Sequence, residues 1–198
     1  MKSLHRPDLF AWSRFDESRN VDFHSVAWVR PAGNLLIDPL PMSEHDRAHL
    51  QALGGAAWII VTNSDHIRDA QALAEAFGAK LCGPRAERET FPLVCARWLD
   101  DGDEPLPGLR VHELHGSKTA GELALVIDDT TLVCGDLVRG QMAGRLNLLP
   151  DAKLRDRAAA VASLQRIVAA YPRLETVLVG DVWPLFGDGA RTLAALAS

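Results

Sequence analysis

The sequence predicts an α/β layered fold, and three observations predict it. Apolar runs of strand length are mixed with segments whose apolar residues recur at helical spacing. Gly, Pro and Asp clusters punctuate the boundaries between them. No linker, low-complexity tract or internal repeat interrupts the mixture, so the whole chain, 1–198, reads as one domain with a full hydrophobic core.

The elements follow in order. Residues 23–29 and 34–37 read as an opening hairpin, joined by Arg30, Pro31, Ala32 and Gly33, which supply turn dihedrals. Ser43, Glu44, His45 and Asp46 have the form of a helix capping box; the helix runs to about Leu53 and stops at Gly54 and Gly55. A strand at 57–61 leads through a polar loop, 63–66, to a helix with Ile67, Ala70, Leu73, Ala74 and Phe77 on one face, ended by Gly78. Residues 80–82, 93–98, 109–114, 122–127 and 131–134 read as further strands separated by polar turns such as 100–103 and 128–129. From Lys153 to about Ala170, Leu154, Ala158, Val161, Leu164 and Val168 recur at helical spacing. A strand at 176–179 and a helix at 191–197 close the pattern.

Composition excludes several classes. A formal net charge of -5 gives no long-range attraction to nucleic acid or anionic lipid, so neither is expected as a partner. The longest apolar stretches, 56–61 and 176–179, fall far short of the roughly 20 residues that cross a bilayer. The first residues lack the apolar core and cleavage site of a secretory signal, and a cytoplasmic location is the expectation. Cys82, Cys95 and Cys134 have no C-x-x-C spacing and sit among apolar residues, as buried free thiols would.

The chemistry concentrates in residues 61–66, Val-Thr-Asn-Ser-Asp-His, at the carboxyl end of an apolar strand. Loops there aim several side chains at one cavity while the strand holds their bases rigid. Taken alone, Asp65 also reads as the N-cap of the helix that follows. Three later stretches share the loop's character: 116–122 (Gly-Ser-Lys-Thr-Ala-Gly-Glu), a strand ending in Gly135 and Asp136, and a strand ending in Gly180 and Asp181. Asp38 closes an early strand after Leu35, Leu36 and Ile37.

In this order and spacing the set resembles the metallo-β-lactamase superfamily over about residues 20–190. The loop 61–66 is similar to the family's His-x-His-x-Asp-His, with Val61 and Asn63 in place of the first two histidines. Residues 116–122 resemble its Gly-His-Thr-Pro-Gly-Ser stretch, with Lys118 in place of the histidine, and Asp181 stands where a final Gly-His would end. The chain looks closest to a subgroup of metal-dependent hydrolases that carry the same Thr-Asn-Ser-Asp-His loop and Gly-Ser-Lys-Thr stretch.

The resemblance implies a four-layer αβ/βα sandwich and a hydrolase of a small ester, thioester or lactone. In the family three imidazoles hold the first metal; Val61, Asn63 and Lys118 at those positions offer no good ligand, so that site is expected to be empty. The second would comprise Asp65, His66, Asp136 and Asp181, an oxygen-rich set suited to one divalent metal: manganese, iron or magnesium, with zinc also open. Lys118 would replace the first metal electrostatically, stabilising an oxyanion, with Asp65 or a metal-bound water as base or nucleophile. The alternative is a metal-free charged pocket, Lys118 paired with Asp65 or Asp136, that binds a small anion without turnover. In either case the expected partner is a small molecule, and the sequence leaves oligomeric state open.

Other residues carry less. His112 and His115 are three apart on a strand and project to opposite faces. Trp183, Pro184, Leu185 and Phe186 after Asp181 are candidates for an apolar wall or for core. No glycine-rich phosphate loop or Gly-x-Ser-x-Gly elbow is present.

Overall fold

The computed structural model describes residues 1–197. Two sheets pack face to face, each covered outside by helices. The first has seven strands in sequence order: β1 (Lys2–Ser3), β2 (Leu9–Asp16), β3 (Val21–Trp28), β4 (Leu35–Ile37), β5 (Trp58–Ile60), β6 (Lys80–Pro84) and β7 (Arg97–Leu99). Strands β1 to β4 pair antiparallel and β4 to β7 parallel, with α1 (Glu44–Ala52) and α2 (Ala70–Phe77) as crossovers. The second sheet holds β8 (Leu109–Leu114), β9 (Glu122–Ile127), β10 (Thr131–Cys134), β13 (Thr176–Val179) and β14 (Leu185–Phe186), in the order β14-β13-β10-β9-β8. A separate hairpin, β11 (Val138–Met142) and β12 (Arg145–Leu148), leaves the end of β10, and α3 (Arg157–Ala170) and α4 (Gly189–Leu196) cover the outer face.

Strand alternation sorts the apolar residues into three cores. Leu35 and Ile37 of β4 face the middle layer with Leu123, Leu125 and Ile127 of β9, while Leu36 faces out onto Leu50 of α1 and Leu73 of α2. Ala124 and Val126 face out onto Leu164 and Ile167 of α3 and Leu193 of α4. Because both faces of these strands are buried, they read in the sequence as continuous apolar runs. The expected four-layer αβ/βα sandwich is the observed fold.

Several boundaries differ from the sequence reading, for local reasons. Strand β2 escaped notice because Ser13, Arg14 and Phe15 leave the core and interrupt its pattern, although it pairs with β3 over all eight residues. The hairpin β11–β12 is polar on one side and turns at Gly144, which has a φ of 75°. Helix α3 starts at Arg157, because the Asp156 carboxylate accepts the Ala159 N–H at 3.0 Å; residues Asp151–Lys153 form a separate 3-10 turn. Helix α2 starts at Ala70 because Arg68, with a φ of 47°, breaks the backbone after the 3-10 turn Ser64–His66. The strand expected at 93–98 is confined to β7, and the last helix begins at Gly189.

Backbone contacts stitch the two sheets together at the start of β3, and Leu123 N–H donates to Thr62 O at 2.8 Å in a second place. Phe23 of β3 forms an antiparallel bridge with Asp181, His24 N–H donates to Gly180 O at 2.9 Å, and Val182 N–H donates to Asp22 O at 2.8 Å. Among the described residues no helix is long and apolar enough to cross a membrane.

Candidate functional site

The loops that follow β4, β5, β8, β10 and β13 meet in one polar cleft of about 350 Å³, whose lining includes Asp65, His66, Lys118, Asp136 and Asp181. Asp38 lies beneath it. Its backbone adopts a φ of 46°, tolerable for Asp, and its buried carboxylate accepts the Thr62 N–H at 2.7 Å and the Thr62 hydroxyl at 2.6 Å. His66 Nδ1 lies 2.8 Å from Asp38 Oδ2, and its Nε2 faces Asp136 Oδ2 at 3.7 Å. Burial opposes charge on the imidazole, but the Asp38 carboxylate outweighs it and raises the His66 pKa. Burial likewise pushes Asp38 up, and His66, Arg68 and Thr62 together hold it below the usual carboxylate range.

Two glycines make this floor possible. A Cβ on Gly180 would lie 2.8 Å from His66 Cε1, and one on Gly135 would lie 2.7 Å from both Asn63 Nδ2 and Thr62 Oγ1. The Gly-Asp pairs at 135–136 and 180–181 are thus glycines where the loop 62–66 must approach and carboxylates where the cleft opens.

Each acidic residue expected to ligate a metal is already engaged. Asp65 forms an ion pair with Lys118, both side chains about two-fifths exposed. Asp181, nearly buried, forms an ion pair with the Arg139 guanidinium, which also lies 3.5 Å from Asp136 Oδ1. Asn63 accepts the Asp65 N–H at 2.9 Å and so caps the 3-10 turn, while its amide lies 3.5 Å from Asp136 Oδ2. Asp65 caps no helix: α2 begins after Asp69, whose side chain makes no capping hydrogen bond. Burial lowers the Lys118 pKa, and the hydrogen bond with Asp65 together with the charges of Asp136 and Asp65 more than reverses this, so the net shift is upward and the ammonium is held.

Two arginines complete the site, neither read from the sequence. Arg139 on β11 lies three residues past Asp136; that spacing was its only signal, because the hairpin carrying it went unrecognised. Arg68 donates to His24 O at 2.5 Å and Asp38 O at 2.9 Å, fixing the site floor to the β3 stitch.

The donors as arranged do not fit a divalent ion. Among the described residues no three His, Cys, Asp or Glu side chains stand close enough to share one, and ammonium and guanidinium groups occupy the carboxylates. Asp181 Oδ1 and Arg139 Nε are buried without a hydrogen-bond partner, but one free acceptor is not a ligand set.

The remaining candidates lie elsewhere. His112 Nε2 lies 2.7 Å from the Tyr171 hydroxyl, and His115 is exposed. Trp183, Pro184 and Phe186 line a larger, mostly apolar cavity of about 740 Å³ that shares no lining residue with the polar cleft; Leu185 is core. The cleft, with its titratable groups, is the candidate site. Cys82 and Cys134 are buried, Cys95 is partly so, and all three are free thiols; burial pushes the Cys95 thiol up to about 12.

Comparison with known proteins agrees with this architecture. A hydroxyacylglutathione hydrolase from Acidiphilium cryptum is 27% identical over 160 residues, which are 78% of this chain; the chain spans 63% of that relative's length. A metallo-β-lactamase from Pontibacter korlensis superposes with a TM-score of 0.76 at 16% identity, covering 98% of this chain and 97% of that one. The metallo-β-lactamase FIM-1 from Pseudomonas aeruginosa, in its mono-zinc form, gives 0.75 at 12% identity over 96% and 89%. The sequence profile described as the metallo-beta-lactamase superfamily matches residues 1–198. The chain belongs to the metallo-β-lactamase superfamily.

Proposed function

We propose that the chain is a hydrolase of small anionic esters, thioesters or lactones whose cleft works with fixed side-chain cations in place of metal ions. The observation that carries this reading is the pairing of Lys118 with Asp65 and of Arg139 with Asp181 and Asp136, at the positions where the family resemblance puts metal ligands. Arg19, Arg68, Lys118, Arg139 and Lys153 line the cleft with Asp16, Asp65, Asp136 and Asp181, and His66 is offset by Asp38 beneath. The cleft is therefore slightly positive in a chain of formal net charge -5, a contrast that favours an anionic ligand. The hydrolase relative supports a thioester, since an acylglutathione is one.

In this reading Lys118 and Arg139 polarise the substrate carbonyl and stabilise the oxyanion that forms on it. Asp65 takes a proton from water as the oxygen adds to the carbonyl carbon, and returns it to the departing alkoxide or thiolate. His66, fixed by Asp38, holds Asp136 in place on the floor. The test is hydrolysis of an ester, thioester and lactone panel by chelator-treated protein. Turnover that survives chelation and is lost in Lys118→Met and Arg139→Met supports the reading. Stoichiometric zinc or manganese, with turnover lost on chelation and restored by the ion, overturns it in favour of a mononuclear site at Asp65, His66, Asp136 and Asp181.

A second reading is binding without turnover, favoured because every acidic side chain expected at the site is already engaged. Saturable calorimetric binding of a small carboxylate, with no hydrolysis of any panel member, would establish it.

A further inference from the structure

Three of the loops that converge on the cleft, 62–66, 116–121 and 135–137, each belong to a different strand connection. In a metal centre, ligands drawn from separate loops are fastened by the ion itself, so that ion binding becomes folding free energy. Here the loops are fastened by two buried carboxylates. Glu87 Oε2 accepts the Ser64 N–H at 2.9 Å, and its Oε1 accepts the Gly121 N–H at 3.1 Å. Glu122 Oε1 accepts the Leu137 N–H at 2.9 Å, and its Oε2 accepts the Ser117 hydroxyl. Glu87 is 3% exposed and Glu122 fully buried.

We propose that Glu87 and Glu122 are positioning residues that hold Asp65, Lys118 and Asp136 in register across the cleft, taking over the loop fastening that an ion would supply. Their partners are the immediate neighbours of the cleft residues: Ser64 precedes Asp65, Ser117 precedes Lys118, and Leu137 follows Asp136. Each carboxylate joins two loops, whereas a carboxylate that only satisfied local donors would bond within one. Packing enforces the same contacts. A Cβ on Gly121 would lie 2.7 Å from Ala86 Cβ and 3.2 Å from Glu87 Cγ, and one on Gly135 would lie 3.3 Å from Glu122 Oε1. Between them the two glutamates close a chain of contacts that runs from 64 to 121, from 117 to 122 and from 122 to 137.

The inference rests on the metal-independent reading above, and amide hydrogen exchange on chelator-treated protein tests it without any substrate. The amides of Ser64, Gly121 and Leu137 are expected to be protected in the wild type. Glu87→Ala should speed exchange at Ser64 and Gly121 at least tenfold, and Glu122→Leu should do so at Leu137, with the amides of α3 unchanged. Glu122→Gln, which keeps an acceptor for Leu137 and a polar partner for Ser117, should restore protection. Glu87→Gln, which leaves one acceptor oxygen, should free one of the two amides if Glu87→Ala fails to fold. For positioning as distinct from plain support, calorimetric acetate binding should weaken in Glu87→Ala, whereas in a Lys118→Met background Glu87→Ala should weaken the residual binding no further. Wild-type exchange rates at these amides in the glutamate variants, or additive losses of acetate binding, would overturn the inference and leave the metal-independent reading intact. Fast exchange in chelated wild type that slows only when zinc is added would overturn both.

Discussion

Arg139 holds Asp181 at the bottom of the cleft: the guanidinium pairs with one carboxylate that is almost fully buried and reaches within 3.5 Å of a second, Asp136. Neither aspartate has water in quantity to solvate its charge, so the arginine sets what the site can hold.

Replacing Arg139 with methionine therefore strands two buried carboxylates. Removing one partner of a buried ion pair costs roughly 3 kcal/mol or more, and urea denaturation should show a loss of that order. Added zinc should raise the denaturation midpoint of Arg139→Met while leaving the wild type unmoved, because only the variant presents free carboxylates beside His66. Equal zinc responses in the two proteins would count against the arginine as the occupant.

Lys118 behaves differently because its pair with Asp65 is solvated. Both side chains are about two-fifths exposed, and exposed ion pairs contribute about 0–1 kcal/mol. Lys118→Met is expected to unfold within about 1 kcal/mol of wild type while losing acetate binding by calorimetry. A large stability loss would assign the lysine to the scaffold.

The pH dependence of stability should be governed in part by Glu122. Burial first, and Asp136 second, push its carboxyl up to about 7 from an ordinary 4.5. Because the folded value is the higher one, the folded state takes up a proton that the unfolded chain releases. The stabilisation is complete below about pH 4.5 and is lost as pH rises through about 7, a shift worth roughly 3 kcal/mol. Glu122→Gln, which cannot ionise, should flatten the profile of denaturation midpoint between pH 5 and about 8.

Gly180→Ala is a test of close approach. The new Cβ would meet His66 Cε1 at 2.8 Å, so the imidazole must shift off Asp38 or the stitch to β3 must open. Such overpacking costs about 1–3 kcal/mol. The imidazole proton resonance of His66 should move in the variant, and an unchanged spectrum with unchanged stability would refute the packing argument.

Much of this site is legible in the sequence. Asp65, His66, Asp136 and Asp181 follow the ends of strands with the spacing of a known constellation, Lys118 sits in the loop before β9, and β9, β10 and β13 are buried on both faces and so announce themselves as apolar runs. Asp38, closing β4, was legible in the same way. Arg139 was not, because its hairpin is too polar to read as strand and its partner Asp181 lies 42 residues away. Glu87 and Glu122 were hidden for the opposite reason. A carboxylate that answers backbone N–H groups leaves no side-chain pattern, although a glutamate opening the otherwise apolar run 122–127 is an anomaly that invites a partner. Asn63 looked like a lost metal ligand and proved to be a turn former. A residue type that fails at one task was read only against that task.

The antiparallel bridge between Phe23 and Asp181 gives the site an unexpected tenant: the first thirty residues. No motif falls there, yet the backbone of β3 is hydrogen-bonded on one side to β2 and on the other to the segment that presents Asp181, and Arg68 reaches across to the carbonyl of His24. The cleft is a seam sewn from opposite ends of the polypeptide. Its geometry depends on the segment after β13 docking on β3, so the acidic floor exists only where the sandwich is closed.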